Sequence, residues 1–222
     1  MSAFHPRLED LPTEFPVFPL SGALLLPQGK LPLNIFEPRY LAMVEDSLGQ
    51  GRMFGMIQPD RALGTGPNGP SLYHIGCLGR LSSFQESEDG RYLITLSGLI
   101  RFQILEEIDM GRGYRRVRAD FSKYARDLDT NPAPIGVSRD LLAAGLKAYF
   151  AARSLDANWD AIKALSDQAL VTTLCMACPF SSAEKQALLE AEPVSARAAV
   201  LLALLEMGSH ESGEDDRPHN IS

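Results

Sequence analysis

The sequence predicts an α+β protein: a β-rich first half, folded as a small barrel or doubled-over sheet, followed by a C-terminal helical bundle. Two textures carry that prediction. Between Phe15 and Phe121, short apolar runs are punctuated by Gly and Pro, as in short strands. After Ser138, apolar residues recur at three- and four-residue spacing, as on helix faces. The proline-bearing stretch "DLDTNPAPIG" between them reads as a linker. The expected organisation is an extended lead-in at 1–14, a β-rich subdomain at 15–125, a linker at 126–137, a helical subdomain at 138–208 and a disordered acidic tail at 209–222.

Each element has a local reason. "FPVFPL" and "LPLNIF" are apolar runs interrupted by proline, which has no N–H for a ladder and so favours edge or bulged strands. A helix follows in "EPRYLAMVEDSLG", where Tyr40, Val44 and Leu48 repeat at i, i+4 and i+8 with Leu41 beside them. Pro38 suits its first turn, where a missing N–H costs nothing, and Gly49 suits its end. "MFGMIQP" is a strand ended by Pro59, and "RALGTGPNGPS" is a loop by composition. "LYHIGCLGRLSSFQES" reads as a strand bent at Gly76 or Gly79. "GRYLITLSGLIRFQILEEI" reads as two strands meeting near Ser97-Gly98, with Leu93 and Thr95, then Ile100, Phe102 and Ile104, in alternation. "YRRVRADF" is the last strand candidate.

In the second half Ser138 is placed to cap "RDLLAAGLKAYFAA". "NWDAIKALSDQALVTTLCMACPF" reads as a helix carrying Ile162, Leu165, Ala169 and Met176 on one face until Pro179 stops it. Ser181 and Glu184 stand in capping-box spacing before "SAEKQALLEA". "VSARAAVLLALLEM" repeats Ala198, Leu201, Leu202 and Leu205. Helices this short are marginal alone and must pack on one another or on the β-rich half. The end of the chain carries four acids against one arginine and few apolar residues.

Composition narrows the function. A net charge of −7 disfavours nonspecific binding to nucleic acid or to an anionic membrane. No apolar run approaches the roughly 20 residues that span a bilayer, and the N-terminus shows no secretory signal. Three cysteines make no disulfide framework, so a reducing, cytoplasmic setting is expected.

The chemical motifs are sparse. Cys175 and Cys178 form a C-x-x-C, but at the far end of a helical pattern, where the dipole opposes a thiolate. A zinc site needs about four ligands, and no second close pair of Cys or His exists, so these cysteines are expected in a core with no metal. "GTGPNGPS" lacks the Lys-Ser/Thr of a phosphate loop, and no cofactor is expected there. Arg112, Arg115, Arg116 and Arg118 cluster around a strand in which Tyr114, Arg116 and Arg118 would share one face. That face is either a basic platform for RNA or a solvated strand paired with nearby acids. His74 is the only histidine inside an expected element, and no catalytic constellation is visible.

"FPVFPLSGALLLPQGKLPLNIFEPRYLAMVED" resembles the opening of the Lon N-terminal substrate-binding domain. "IGCLGRL" and "LITLSGLIRFQI", with Gly98 and Arg101-Phe102, and the later "PFSSAEKQALLEA" extend the resemblance from about Phe15 to Met207. It implies a PUA-like β-barrel or folded-sheet domain with an attached helical bundle. Neither the ATPase loop nor the Ser-Lys protease module of a full Lon protease is found, so a non-enzymatic, stand-alone form of the domain is expected. The implied partners are polypeptide clients or a protease; the alternatives are an RNA-associated PUA-like protein, and a small-molecule binder or unrecognised hydrolase, which a deep pocket of convergent polar groups with His74 would favour.

One stretch stands out as a candidate binding surface. In "LPLNIFEPRY" a strand hands over to a helix through a charged pair and a proline. Phe36 and Tyr40 are candidate anchors, with Asn34, Glu37 and Arg39 as polar contacts. The opposing reading makes Phe36 a core residue and Glu37 and Arg39 the lock of a structural corner.

Overall fold

The computed structural model describes residues 6–131 and 133–210. These fall into two compact units: the residues up to Asn131 with Cys178–Leu189, and those from 133 to Ala177 with those from Glu190 onward. Among the described residues no helix is long and apolar enough to cross a membrane.

The first unit is built on strands β1 (Glu14–Pro19), β2 (Lys30–Ile35), β3 (Met53–Ile57), β4 (Thr65–Gly66), β5 (Gly69–Pro70), β6 (Ile75–Glu86), β7 (Tyr92–Ile108) and β8 (Arg115–Asp120), with helix α1 (Pro38–Gly49) after β2. The main sheet has the order β2-β7-β6-β3-β1-β8, and β8 pairs back onto β7. Five strands therefore form a closed ring, and β2 adds to β7 outside it. β7 manages both partners through its length: Tyr92–Ser97 carries β2, and Gln103–Ile108 carries β8. Phe15, Val17, Leu78, Ile100, Phe102 and Val117 fill the core, with the Phe15 and Phe102 rings meeting edge to face at 5.0 Å.

Several expectations change here. Ser97-Gly98 does not separate two strands, because β7 runs unbroken through both residues. Gly79 faces Gly98 and Leu78 faces Ile100, so Leu99 is a bulged residue that bends the strand. The glycine is there for close approach: Gly98 N–H donates to Gly29 O at 2.8 Å, and Gln28 N–H donates to Gly98 O at 2.9 Å. Ahead of the bulge Ile94 and Leu96 face inward while Leu93 is 42% exposed. "LITL" is apolar at both parities, so period two could not choose its inner face. The expected loop after Pro59 holds a small hairpin of β4 and β5, made by Gly69 at a φ of +110°.

Two polar devices fasten later chain to this unit. Helix α5 (Ser182–Glu190) begins with the expected capping box, Ser181 N–H to Glu184 Oε2 at 2.7 Å and Glu184 N–H to Ser181 Oγ at 3.3 Å. Lys185 Nζ donates to Gly22 O at 2.7 Å, Gln186 Nε2 to Ile75 O at 3.0 Å, and Gln58 Nε2 to Ser182 O at 3.0 Å. Burial pushes the Lys185 ammonium below the ordinary lysine range. The second device is Arg101, 3% exposed, whose guanidinium donates to both oxygens of Asp127 at 2.8 Å and to Leu189 O at 3.2 Å.

Arg101 also lies 4.5 Å over the ring of Tyr124, whose enclosed hydroxyl has no hydrogen-bond partner among the described residues. An unmet buried hydroxyl costs folding energy that a phenyl ring does not. Tyr124→Phe is therefore expected to stabilise the protein by about 1 kcal/mol, read as a higher urea midpoint with an unchanged slope. A lower midpoint would show that a bound water satisfies the hydroxyl.

The second unit holds α2 (Arg139–Ala152), α3 (Trp159–Ala164), α4 (Asp167–Ala177) and α6 (Val194–His210). Ser138 caps α2, its Oγ accepting from Asp140 N–H at 3.2 Å. α2 and α6 lie side by side with Gly145 against Leu202 and Leu205, and with Ala198, Leu201 and Leu205 fully buried. The single helix expected from Asn158 to Phe180 is two, α3 and α4. Arg139 supports the break: its Nη2 donates to the end carbonyls Ile162 O and Lys163 O, which a continuing helix would otherwise satisfy, while Nη1 pairs with Asp167 at 2.7 Å. α6 continues through His210, and the acidic stretch from 211 on lies outside the described residues.

Candidate recognition surface

The corner after β2 is built by alternation. Ile35 points into the core, so the next residue, Phe36, is turned outward and is 60% exposed. Glu37 occupies the cap position of α1, yet its carboxylate does not cap the helix and pairs instead with Arg39 at 2.8 Å. Pro38 takes the first helical position, as its fixed φ favours. One turn in, Tyr40 returns to the core at 7% exposure, 4.2 Å from the ring of Phe18, with the Arg39 guanidinium 4.6 Å above it. Of the five candidate residues, Asn34, Phe36 and Arg39 are exposed, Glu37 is half-buried, and Tyr40 is the packed base beneath them.

Phe36 belongs to a larger face. Register pairs Pro32 with Thr95 and Asn34 with Leu93, and on the far side of β7 pairs Thr95 with Ser83 and Leu93 with Gln85. These residues alternate with the buried Ile94 and Leu96 and line a shallow groove of about 340 Å³ on the outer side of the sheet. Beyond Leu93 the guanidinium of Arg91 lies 5.7 Å from the Phe36 ring and pairs with Asp89 at 2.8 Å. β2 is the outermost strand of this sheet, and Pro32 contributes no donor along it. α1 belongs to the opposite side, where Tyr92 donates to Glu45 at 3.1 Å.

The arginine strand is occupied by its own acids. Arg112 reaches Glu45 at 2.9 Å and Asp46 at 3.2 Å, Arg116 lies 3.8 Å from Glu14, and Arg118 pairs with Glu14 at 2.7 Å and with Glu106. Arg115 is buried and pairs with Glu107. Tyr114 does not share the outer face with Arg116 and Arg118: it precedes β8, is turned inward, and donates its hydroxyl to Asp46 at 2.7 Å. Of the two readings of this strand, the structure bears out the one in which its arginines pair with nearby acids.

Burial, then the bond to Asp46 and its charge, push the Tyr114 phenol up to about 12. The folded state holds this proton more tightly than the unfolded chain, whose tyrosine titrates near 10. The resulting stability is complete below pH about 10 and is lost as pH rises towards about 12. In an alkaline titration followed by tyrosinate absorbance, Tyr114→Phe should remove a late-ionising tyrosine. Removal of an early one would contradict this.

The remaining motifs are structural in their surroundings. Cys77, Cys175 and Cys178 are buried thiols outside any disulfide. Among the described residues no group of three His, Cys, Asp or Glu could hold a metal ion. His74 is exposed, and its main-chain carbonyl accepts from Ile104 N–H at 2.8 Å. Sequence reasoning missed Gln58, Lys185 and Gln186 because polar residues next to apolar runs look like surface until the fold buries them.

Comparison with solved structures defines the class first. The crystal structure of a Lon N-terminal domain protein from Xanthomonas campestris matches 86% of this chain and 98% of that one, with a TM-score of 0.57 and 24% identity. The N-terminal domain of the Mycobacterium avium complex Lon protease matches 86% and 97%, with a TM-score of 0.57 and 16% identity. The fold is thus that of Lon N-terminal domains. In sequence, Lon protease 2 of Sorangium cellulosum is 28% identical over 199 residues, 86% of this chain and 24% of that protein. Lon protease of Anaeromyxobacter dehalogenans is 29% identical over 98 residues, 44% of this chain. The matched region is 12% to 24% of these relatives' length. The family model of the ATP-dependent protease La (LON) substrate-binding domain matches residues 14–207, and the chain belongs to that family.

Proposed function

We propose that this chain is a non-enzymatic polypeptide-binding module, acting as an adaptor or client-binding protein, with the corner of Asn34, Phe36, Glu37, Arg39 and Tyr40 in its binding surface. The observation that carries the reading is Phe36: a phenylalanine in a substrate-binding family, held outside the core at 60% exposure by a packed helix start and an ion pair. A large apolar side chain fixed on a rigid corner is the type of anchor that polypeptide recognition uses. Tyr40 acts from beneath, holding α1 against Phe18. The partners are unfolded or extended polypeptides, or a protease to which they are passed, and no cofactor is involved. A reducing, cytoplasmic setting belongs to the same reading, since all three buried cysteines are thiols. No observation favours RNA, because the arginines that would meet phosphate already face carboxylates.

The test is binding of a labelled, chemically unfolded polypeptide to the wild-type chain and to a folded Phe36→Ala, Arg39→Ala double variant. The variant is expected to bind about tenfold more weakly, the effect of losing one anchor of roughly 1.4 kcal/mol. Equal binding would remove the corner from the surface. No binding by the wild type would end the polypeptide reading.

A further inference from the structure

The outer face of β2, β7 and β6 differs from the rest of the molecule in its charge. The chain carries 28 Asp and Glu and a net charge of −7. Yet the outward residues of β2 are Lys30, Pro32 and Asn34, those of β7 are Leu93, Thr95 and Ser97, and those facing them on β6 are Gln85, Ser83 and Arg80. None of these is acidic. Of the carboxylates at the border, Glu37 is paired with Arg39 and Asp89 with Arg91, through partly or fully exposed side chains. Such surface pairs contribute about 0–1 kcal/mol and exchange readily for another carboxylate.

The apolar residues of the face lie close in register. Leu93 stands opposite Asn34 and diagonal to Pro32, with which it lines the groove, and Phe36 follows the last residue of β2 with the same outward parity. Isolated exposed apolar residues need no explanation, but several gathered on one face do. A cation stands at each end, Lys30 at the start of β2 and Arg91 beside Phe36. From Lys30 to Phe36 the strand advances six residues, roughly 20 Å, and an extended ligand would cover the same distance in about the same number of residues.

We propose that this face takes an extended segment of unfolded polypeptide in which alternate apolar residues are flanked on both sides by carboxylates, about six residues apart. The apolar residues seat on Pro32, Leu93 and Phe36, and the carboxylates reach Lys30 and Arg91. Asn34 and Gln85, beside Leu93, offer both donors and acceptors to the ligand main chain. The flat face is favoured over the free edge of β2 because Pro32 interrupts any ladder there. This inference rests on the polypeptide-binding reading and specifies its ligand.

The experiment compares two labelled peptides that share an alternating Leu core, one flanked by Asp and Glu and the other by Lys, by fluorescence anisotropy at low salt. The wild type is expected to prefer the acid-flanked peptide by at least about tenfold, with the preference shrinking as salt screens it. Lys30→Glu with Arg91→Glu should reverse the order, and Leu93→Ser should weaken both peptides alike. All three positions are exposed, so the variants should fold, which thermal unfolding checks. Equal affinity for the two peptides, or an order unchanged in the charge-reversed variant, would overturn the inference while binding of an unfolded polypeptide left the broader reading standing. Absence of all binding would overturn both.

Discussion

Asp127→Ala should cost the protein about 3–5 kcal/mol, the usual loss when one member of a buried ion pair is removed. Arg101 is 3% exposed, and Asp127 accepts from its Nε, its Nη2 and its main-chain N–H at 2.8 to 3.0 Å. Without that carboxylate the guanidinium enclosed above Tyr124 loses the acceptor of two of its hydrogen bonds and the charge paired with it at 2.8 Å. Against a typical stability of about 5–15 kcal/mol, a loss of this size threatens the native state. The measurement is urea unfolding followed by circular dichroism, because the single tryptophan, Trp159, lies in the other unit and would not report on this one. Arg101→Met combined with Asp127→Ala should lose less than the sum of the single changes, since both single changes break the same contact. A single-variant loss below about 1 kcal/mol would mean that the pair behaves like an exposed one.

Gly98→Ala should be comparably damaging, for a steric reason. A Cβ at Gly98 would stand 2.0 Å from the carbonyl oxygen of Leu26 and 2.8 Å from its carbon. Neither atom can retreat while Gly98 keeps its two main-chain hydrogen bonds to Gln28 and Gly29. The substitution must open that contact and disturb the bulge at Leu99, at an expected cost of about 3 kcal/mol or more. Gly49→Ala is the matched control. It closes α1, has nothing within 4 Å of the place a Cβ would take, and does not adopt a positive φ. Alanine there should be neutral or stabilising by up to about 1 kcal/mol through a less flexible unfolded chain. Equal midpoints for the two variants would show that the close approach at Gly98 yields easily.

These two positions mark where sequence reasoning stops. Gly98 is visible as a glycine between two apolar runs, and local chemistry reads it as a turn. Its real role depends on Leu26, 72 residues earlier in the chain, whose carbonyl is brought against it by the pairing of β2 with β7. Arg101 lies in an apolar run, where a charge is normally read as facing solvent. Asp127, in a segment read as part of a linker, helps to make its burial tolerable.

The candidate surface divides in the same way. The handover from strand to helix at Pro38 was legible, because a proline at the first helical position and an apolar repeat after it are local signals. The direction of Phe36 and Tyr40 was not. Both are aromatic and only four residues apart, and it is Phe18, on another strand, that draws Tyr40 inward. The outer face was invisible for a stronger reason: its residues come from β2, β6 and β7 and meet only through register.

By itself, then, the sequence determined the α+β class, the helix starts at Pro38, Ser138 and Ser181, and a family resemblance over most of the chain. Those signals are local: proline and cap chemistry, three- and four-residue periodicity, and motifs read in order. Tertiary structure alone decided the closure of the sheet through β8, the continuity of β7, the split between α3 and α4, and which residues of the corner face solvent. Each of those depends on a partner far away in sequence, and hydrogen bonds, burial and charge pairing are settled only when the chain brings both partners together.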